Sequence, residues 1–149
     1  VYRSYREWPY KNVQKRVFAE QYVDPAPMVN DLYDYKFFCF NGVVRCFKID
    51  FDRQTDHHAN YYDREGKLLP FGEKDLVPVP DKALDSPANL RRMVEQAEKL
   101  AQDKRFVRVD FYNVNGHIYF GEITFYPAGG MGQFTSEEWD YELGDWLKL

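Results

Sequence analysis

Arg108 and Asp110 alternate in Val107-Arg108-Val109-Asp110-Phe111, and Glu122 follows in Gly121-Glu122-Ile123-Thr124, both runs being otherwise rich in β-formers. Two carboxylates that converge make an oxygen site for a hard cation such as Mg²⁺, and a neighbouring guanidinium can steady phosphate oxygens. The same alternation also describes a solvated strand face with no chemistry. Convergence decides between them, and convergence is a matter of register. A turn of Asn115-Gly116 alone would set Glu122 opposite Val109, among aliphatics. A three-residue loop, Val114-Asn115-Gly116, or another odd length, sets Arg108 opposite Glu122 with Asp110 diagonal to it. The other face then collects Val107, Val109, Phe111, Tyr119, Gly121 and Ile123. Only the odd register satisfies both the apolar pattern and a metal site, so it is the expectation.

Other reactive types carry less. His57-His58 lies among Asp52, Asp56 and Asp63, but adjacent residues of an extended chain point to opposite sides, and no His or Cys stands at zinc spacing. There is no Gly-x-Ser-x-Gly elbow, and Cys39 and Cys46 lack a His partner. Asp50-Phe51-Asp52 is an Asp-x-Asp dyad at a strand end, where a solvated terminus is the plainer account.

Pro and Gly punctuate the elements that must position these groups. Arg16 to Val23 is rich in β-formers and is stopped by Asp24-Pro25-Ala26-Pro27, which predicts a strand and then a loop. Tyr35 to Phe40 and Val43 to Asp50 flank Asn41-Gly42, the dipeptide best suited to a tight primed turn, which predicts a hairpin. Phe40 then faces Val43, Cys39 pairs with Val44 and Cys46 with Phe37, so no Cys39–Cys46 disulfide is expected. Phe51 to Pro80 is polar and broken, longer than an ordinary connector, and reads as a functional loop or a surface excursion. Ser86 before Pro87 is a helix start, and Leu90, Met93, Val94, Ala97, Leu100 and Ala101 keep helical spacing to about Asp103. Phe106 to Tyr112 and His117 to Phe125 form a second hairpin. Thr135-Ser136-Glu137-Glu138 is a capping box opening a terminal helix with Trp139, Leu143, Trp146 and Leu147. The expected class is α+β, an antiparallel sheet of two hairpins with helices on one face.

At 149 residues the chain is long enough for one domain with a core and too short for two, so residues 1–149 are expected to form a single domain. Twenty Lys and Arg against 24 Asp and Glu leave a net charge of −4, with no basic field for a nucleic-acid backbone. No apolar run approaches the ~20 residues of a membrane span. Two cysteines make no disulfide scaffold, so a reducing, cytoplasmic location is expected. Val1 to Arg6 opens without Met or a leader pattern, and the chain reads as a piece of a longer protein.

Val107 to Phe111, Asn115-Gly116, Gly121 to Thr124 and Pro127-Ala128-Gly129-Gly130 together resemble the metal-binding end of ATP-grasp enzymes. There an Arg-x-Asp strand is followed by Glu-x-Asn and a Pro-Gly turn. With Asp34 to Gly42 and Glu138-Trp139-Asp140-Tyr141, the text is similar to the TupA-like ATP-grasp family of bacterial cell-surface polysaccharide biosynthesis, over nearly the whole chain. The resemblance implies the C-terminal lobe of an ATP-grasp fold. Asp110 and Glu122 would be Mg²⁺ ligands, and Arg108 would stabilise the transferring phosphoryl group. Thr124 stands where the superfamily pattern has Asn and would be a weaker, single-oxygen ligand. Ala19 to Val23 resembles the hinge strand that meets adenine, which assigns Glu20, Tyr22 and Val23 to the cofactor. Lys36 matches a position that contacts ribose or phosphate; taken alone, Glu20 reads as an exposed strand carboxylate and Lys36 as an edge-strand charge. The polar loop would lie near the phosphates, making Arg53, His57, His58 and Asn60 candidates for phosphate or acceptor contacts.

The function so implied is an ATP- and Mg²⁺-dependent carboxylate–amine ligase acting through an acylphosphate, with ATP, a carboxylate or amine acceptor and a glycan precursor as partners. A glycosyltransferase of a polysaccharide gene cluster and a non-catalytic binding domain are the alternatives. Nothing before Arg16 has the glycine-rich hairpin and Lys that cover ATP phosphates in such enzymes, and Lys11 and Lys15 sit too close to the hinge segment. Residues 1–149 alone are therefore expected not to turn ATP over. Asp110→Asn and Glu122→Gln are expected to abolish activity in the full-length protein with the fold intact.

Overall fold

The computed structural model describes residues 2–23, 32–53, 55–82 and 87–148. Five antiparallel strands form one sheet: β1 (Asp34–Phe40), β2 (Val43–Phe51), β3 (His58–Asp63), β4 (Phe106–Val114) and β5 (His117–Thr124), in the order β3-β2-β1-β4-β5. Helix α1 (Tyr2–Tyr5) is one short turn, α2 (Leu90–Ala101) precedes β4 and α3 (Glu137–Trp146) closes the chain. The class is α+β, and both expected hairpins form, joined through β1 and β4 into a single sheet.

The helices lie on both faces rather than one. Tyr35, Phe37 and Cys39 of β1 point with Val107, Val109 and Phe111 of β4 to the face covered by α2, whose Leu90, Met93, Val94, Ala97 and Ala101 complete that core. Residues of the opposite parity, Phe38 and Phe40, meet Leu143 of α3, with Trp139 and Trp146 beside them. Both sets of strand residues are apolar at that end of the sheet, so each face needs a cover. Leu100, placed with the apolar stripe by spacing, is 37% exposed at its edge.

Each hairpin turns on two residues, and each carries a bulge. Asn41 and Gly42 have φ of 50° and 81°, and Asn115 and Gly116 have φ of 50° and 79°, as a primed turn requires. In the first hairpin Cys39 pairs with Val44, as expected, but Phe38 then pairs with Cys46, so Arg45 is an extra residue and Phe37 faces Phe47. Without that insertion Lys48 and Asp50 would turn into the α2 core among Tyr35 and Phe37. The two cysteines are free and end on opposite faces, in separate cores.

The second hairpin contradicts the expected three-residue loop: Val114 pairs with His117 across Asn115-Gly116. The odd step comes later. Val109 pairs with Ile123 and Phe111 with Phe120, so Gly121 and Glu122 together oppose Asp110. The two-residue turn itself puts Ile118 toward the α2 core and Phe120 against Phe111, while Tyr119 turns to the opposite face, reversing its expected side; the bulge then brings Glu122 back toward Asp110. A bulge does here what a longer loop was expected to do.

Three further expectations change. Phe51 to Pro80 is not all loop, since β3 forms within it and extends the sheet beyond β2. Arg16 to Val23 forms no strand: Val17, Phe18 and Tyr22 are exposed, because β-formers become a strand only where a neighbour takes their backbone groups. The stop at Asp24 to Pro27 and the proposed cap Ser86 lie outside the described residues. Asn89 occupies the N-cap of α2, its side chain bonded to Asn113 and Gly116 instead of the helix. Ser136, not Thr135, caps α3 by accepting from the Trp139 amide at 3.4 Å, and the Thr135 hydroxyl accepts from Gly72 instead.

Candidate functional site: a charged cleft on the sheet

One sheet face changes character along its strands. Register aligns Cys46, Phe38, Arg108 and Thr124 in one row, Lys48, Lys36 and Asp110 in the next, and Asp50, Asp34 and Tyr112 beyond. The apolar end lies under α3, and the charged end floors a cleft of about 930 Å³. Phe18 and Glu20 to Val23 run along one wall. The segment that fails to form a strand thus still meets the cleft.

Arg108 is the centre of the network. Its Nε and Nη2 donate to the two oxygens of Asp110 at 2.8 and 2.7 Å, and Nη2 also donates to Glu122 Oε1 at 2.7 Å and to Thr124 Oγ1 at 3.1 Å. The Thr124 hydroxyl donates to the same Glu122 oxygen at 2.6 Å. Asp110 and Glu122 therefore converge on one guanidinium, as the odd register required. Lys36 Nζ donates to Asp110 Oδ2 at 2.9 Å and to Asp34, and lies 3.6 Å from Asp50. Lys48 Nζ lies 3.4 Å from Asp50 Oδ1 and bonds Glu73 Oε1 at 2.9 Å, and Arg53 Nη1 bonds Asp34 Oδ2 at 3.0 Å.

Asp34, Lys36, Lys48, Asp50 and Asp110 are all buried, an arrangement tolerable only because each charge has an opposite partner. Burial pushes the Asp34 carboxyl above its ordinary range, outweighing Lys36 beside it. Burial works to lower the Lys36 ammonium, but Asp110 and Asp34 outweigh it and hold its pKa up. The Thr124 hydroxyl, with Arg108, holds Glu122 below the usual carboxylate range against partial burial. One oxygen each of Asp34 and Asp50 remains without a hydrogen bond.

The candidates divide. Glu20, Tyr22, Val23, Lys36, Arg53, Arg108, Asp110 and Glu122 line the cleft, and Thr124 touches it through Arg108 and Glu122. Asn60 does not line it: its side chain pairs with both the N–H and the carbonyl of Val79 at 2.9 Å, because its strand position points to the α2 face. His58 is held by Val77 O and Asp56, each at 3.0 Å, away from the cleft walls. His57 reaches only the cleft's margin, with Nε2 3.7 Å from Asp50 Oδ1. Asp50 and Asp52 engage separate cations, Asp52 pairing with Lys82 at 2.5 Å, and do not form a shared acidic dyad. Among the described residues no three His, Cys, Asp or Glu side chains group as metal ligands. The cleft also takes in Lys48 and Tyr112, which the sequence did not single out, and Asp34 and Asp50, which it offered only within the Asp34 to Gly42 resemblance and as half of the Asp50-Phe51-Asp52 dyad. Their signal was present in Asp34-x-Lys36 and Lys48-x-Asp50, the same alternation of charges that singled out Arg108-x-Asp110.

A family model described as TupA-like ATP-grasp matches residues 1–148. The chain belongs to that family. ATP-grasp proteins are ligase-type enzymes that use ATP and Mg²⁺. Comparison with curated proteins and with solved structures gives no match. Among the described residues, no helix of this TupA-like chain is long and apolar enough to cross a membrane.

Proposed function

We propose that the cleft binds MgATP and serves a carboxylate–amine ligase in the biosynthesis of a bacterial cell-surface polysaccharide. The observation that carries this reading is the shared guanidinium of Asp110 and Glu122, with Lys36 on the same carboxylate. A divalent ion held by Asp110 and Glu122, with Thr124 as a weaker oxygen, would take over the charge that Arg108 now supplies to both acids. Arg108 would then be free for phosphate oxygens, as would Lys36 and Arg53 at the adjoining floor. Glu20, Tyr22 and Val23, along the wall, suit the base.

In the reaction so proposed, a substrate carboxylate oxygen attacks the terminal phosphorus of ATP, the bond to the ADP oxygen breaks, and an acylphosphate forms. An amine nitrogen then attacks the acyl carbon. The bond from that carbon to the phosphate oxygen breaks, phosphate leaves, and the nitrogen loses its proton to solvent. This chemistry asks for positioning and charge neutralisation without a covalent protein nucleophile, which suits Arg, Lys and acid side chains. We place residues 1–149 in one domain that binds MgATP but does not by itself turn it over, since nothing before Arg16 has the glycine-rich hairpin and Lys that would cover the phosphates. Calorimetric titration with ATP in the presence and absence of Mg²⁺ tests the reading: Mg²⁺-dependent binding lost in Glu122→Gln is expected. Binding that ignores Mg²⁺, or a variant that binds as the parent does, overturns it, and robust hydrolysis by residues 1–149 overturns the assignment of inactivity.

A further inference from the structure

The apolar end of the cleft face holds a second cavity of about 690 Å³, within the range of small-molecule sites. Phe38, Phe40, Phe106, Phe134, Tyr126 and Leu143 are among the residues of its wall. It continues the charged cleft directly: Lys36 and Phe38 stand two residues apart on β1, and Arg108 and Phe106 two apart on β4, about 7 Å at strand rise. Glu73 marks the boundary. Its Oε1 accepts from Lys48 Nζ on the cleft side and from the Tyr61 hydroxyl, at 2.5 Å, on the cavity side. Lys104 and Arg105 line the cavity as well, Arg105 beside Phe106 at the start of β4, the end of the strand away from the charged cleft. The wall is thus aromatic along its length, with a carboxylate where it meets the cleft and cations at the other end.

We propose that this cavity takes the amine substrate, and that the amine carries an apolar or aromatic body. The body lies among the phenylalanines, the amino group meets Glu73 at the boundary with the cleft, and any acidic group of the molecule points to Lys104 and Arg105. The proposal rests on the ligase reading for the role of the amine, whereas the cavity's preference for an apolar amine stands on its lining. A hydroxyl-rich ligand would leave its polar groups unpaired against that wall.

Gly144 permits a test that spares the fold. It lies in α3 on the cavity wall, a Cβ built there meets nothing within 4 Å, and leucine is a better helix former than glycine. Phenethylamine, ethanolamine and the neutral analogue 2-phenylethanol are titrated against the protein by calorimetry and saturation-transfer NMR. Phenethylamine alone is expected to bind. Its Kd is expected to rise about tenfold or more in Gly144→Leu, which fills the cavity, and in Tyr126→Ala, which strips an exposed wall residue, and to stay near the parent value in Gly144→Ala. Binding of 2-phenylethanol as tight as that of phenethylamine, binding of ethanolamine as tight as that of phenethylamine, no binding of phenethylamine, or indifference to Gly144→Leu and Tyr126→Ala would each overturn the proposal. MgATP titrated on the same samples separates the two readings: failure of MgATP to bind strikes the ligase and leaves the amine cavity standing, and the converse holds.

Discussion

Both hairpins turn on Asn-Gly and both carry an extra residue on the returning strand, yet the first bulge ends in solvent and the second in the cleft. Arg45, the inserted residue of the first, is exposed; Glu122, within the second, shares a guanidinium with Asp110. The first bulge lies one residue pair beyond its opening pair and acts at a distance, by turning Lys48 and Asp50 out of the α2 core. The second lies at the site and acts on the residue it contains. A tight turn fixes where a hairpin starts, and the bulge decides on which face its charges arrive.

The contrast breaks most severely at Asp110. Contrary to the expectation from sequence that Asp110→Asn would spare the fold, Asp110 is 2% exposed and neutralises both Arg108 and Lys36. Its loss leaves buried cations short of a partner, and Asp110→Asn is expected to cost ~3–5 kcal/mol of stability, read by urea denaturation. Next comes the bulge itself. An added Cβ at Gly121 would sit 3.1 Å from the carbonyl oxygen of Asp110, so Gly121→Val should cost ~1–3 kcal/mol and weaken MgATP binding together. The matching change in the first hairpin, Arg45→Ala, should stay within ~0.5 kcal/mol. Equal costs at the two bulges would erase the distinction drawn between them.

Glu122→Gln sharpens the comparison within one hairpin. Its side chain is 60% exposed, so the ion pair with Arg108 adds little to stability and denaturation should shift by less than ~1 kcal/mol while MgATP affinity falls. The smallest effect is on pH dependence, where β1 and β5 carry carboxyl groups whose pKa values are displaced in opposite directions. Asp34 has a folded pKa above its ordinary 3.8, so the native state binds the proton more tightly, and stability from this group falls as pH rises from about that value. Glu122 is held below its ordinary 4.5, so its contribution is present above that value and is lost as pH falls toward the folded pKa. Stability curves of Asp34→Asn and Glu122→Gln between pH 3 and 7 should therefore differ from the parent in opposite slopes.

The hairpins, both long helices and the convergence of Asp110 with Glu122 were legible in the sequence, because turn dipeptides, helical spacing and strand alternation are local signals. The bulges were not read, though each leaves a mark: Val44 and Phe47 face the same core three residues apart, and Ile118 and Ile123 five apart, where a regular strand allows only even spacing. Arg16 to Val23 misled for the opposite reason. Its composition is that of a strand, but strand formation depends on a partner that composition does not reveal. Asn60 and His58 were drawn toward the phosphates by their type and loop setting, and β3 turned them to the Val79 and Val77 backbone.

The attachment of Asn60 to Val79 bears on how these sheets could meet one another. Beyond it, the Leu69 amide bonds the Tyr61 carbonyl at 2.8 Å and the Asp63 amide bonds the Lys67 carbonyl at 2.8 Å, so the returning chain occupies the outer edge of β3. A side-chain amide and a few loop residues thus stand where a sixth strand would begin. Backbone groups that an incoming strand would need are already taken along that part of the β3 edge, so lateral recruitment of another chain is blocked there.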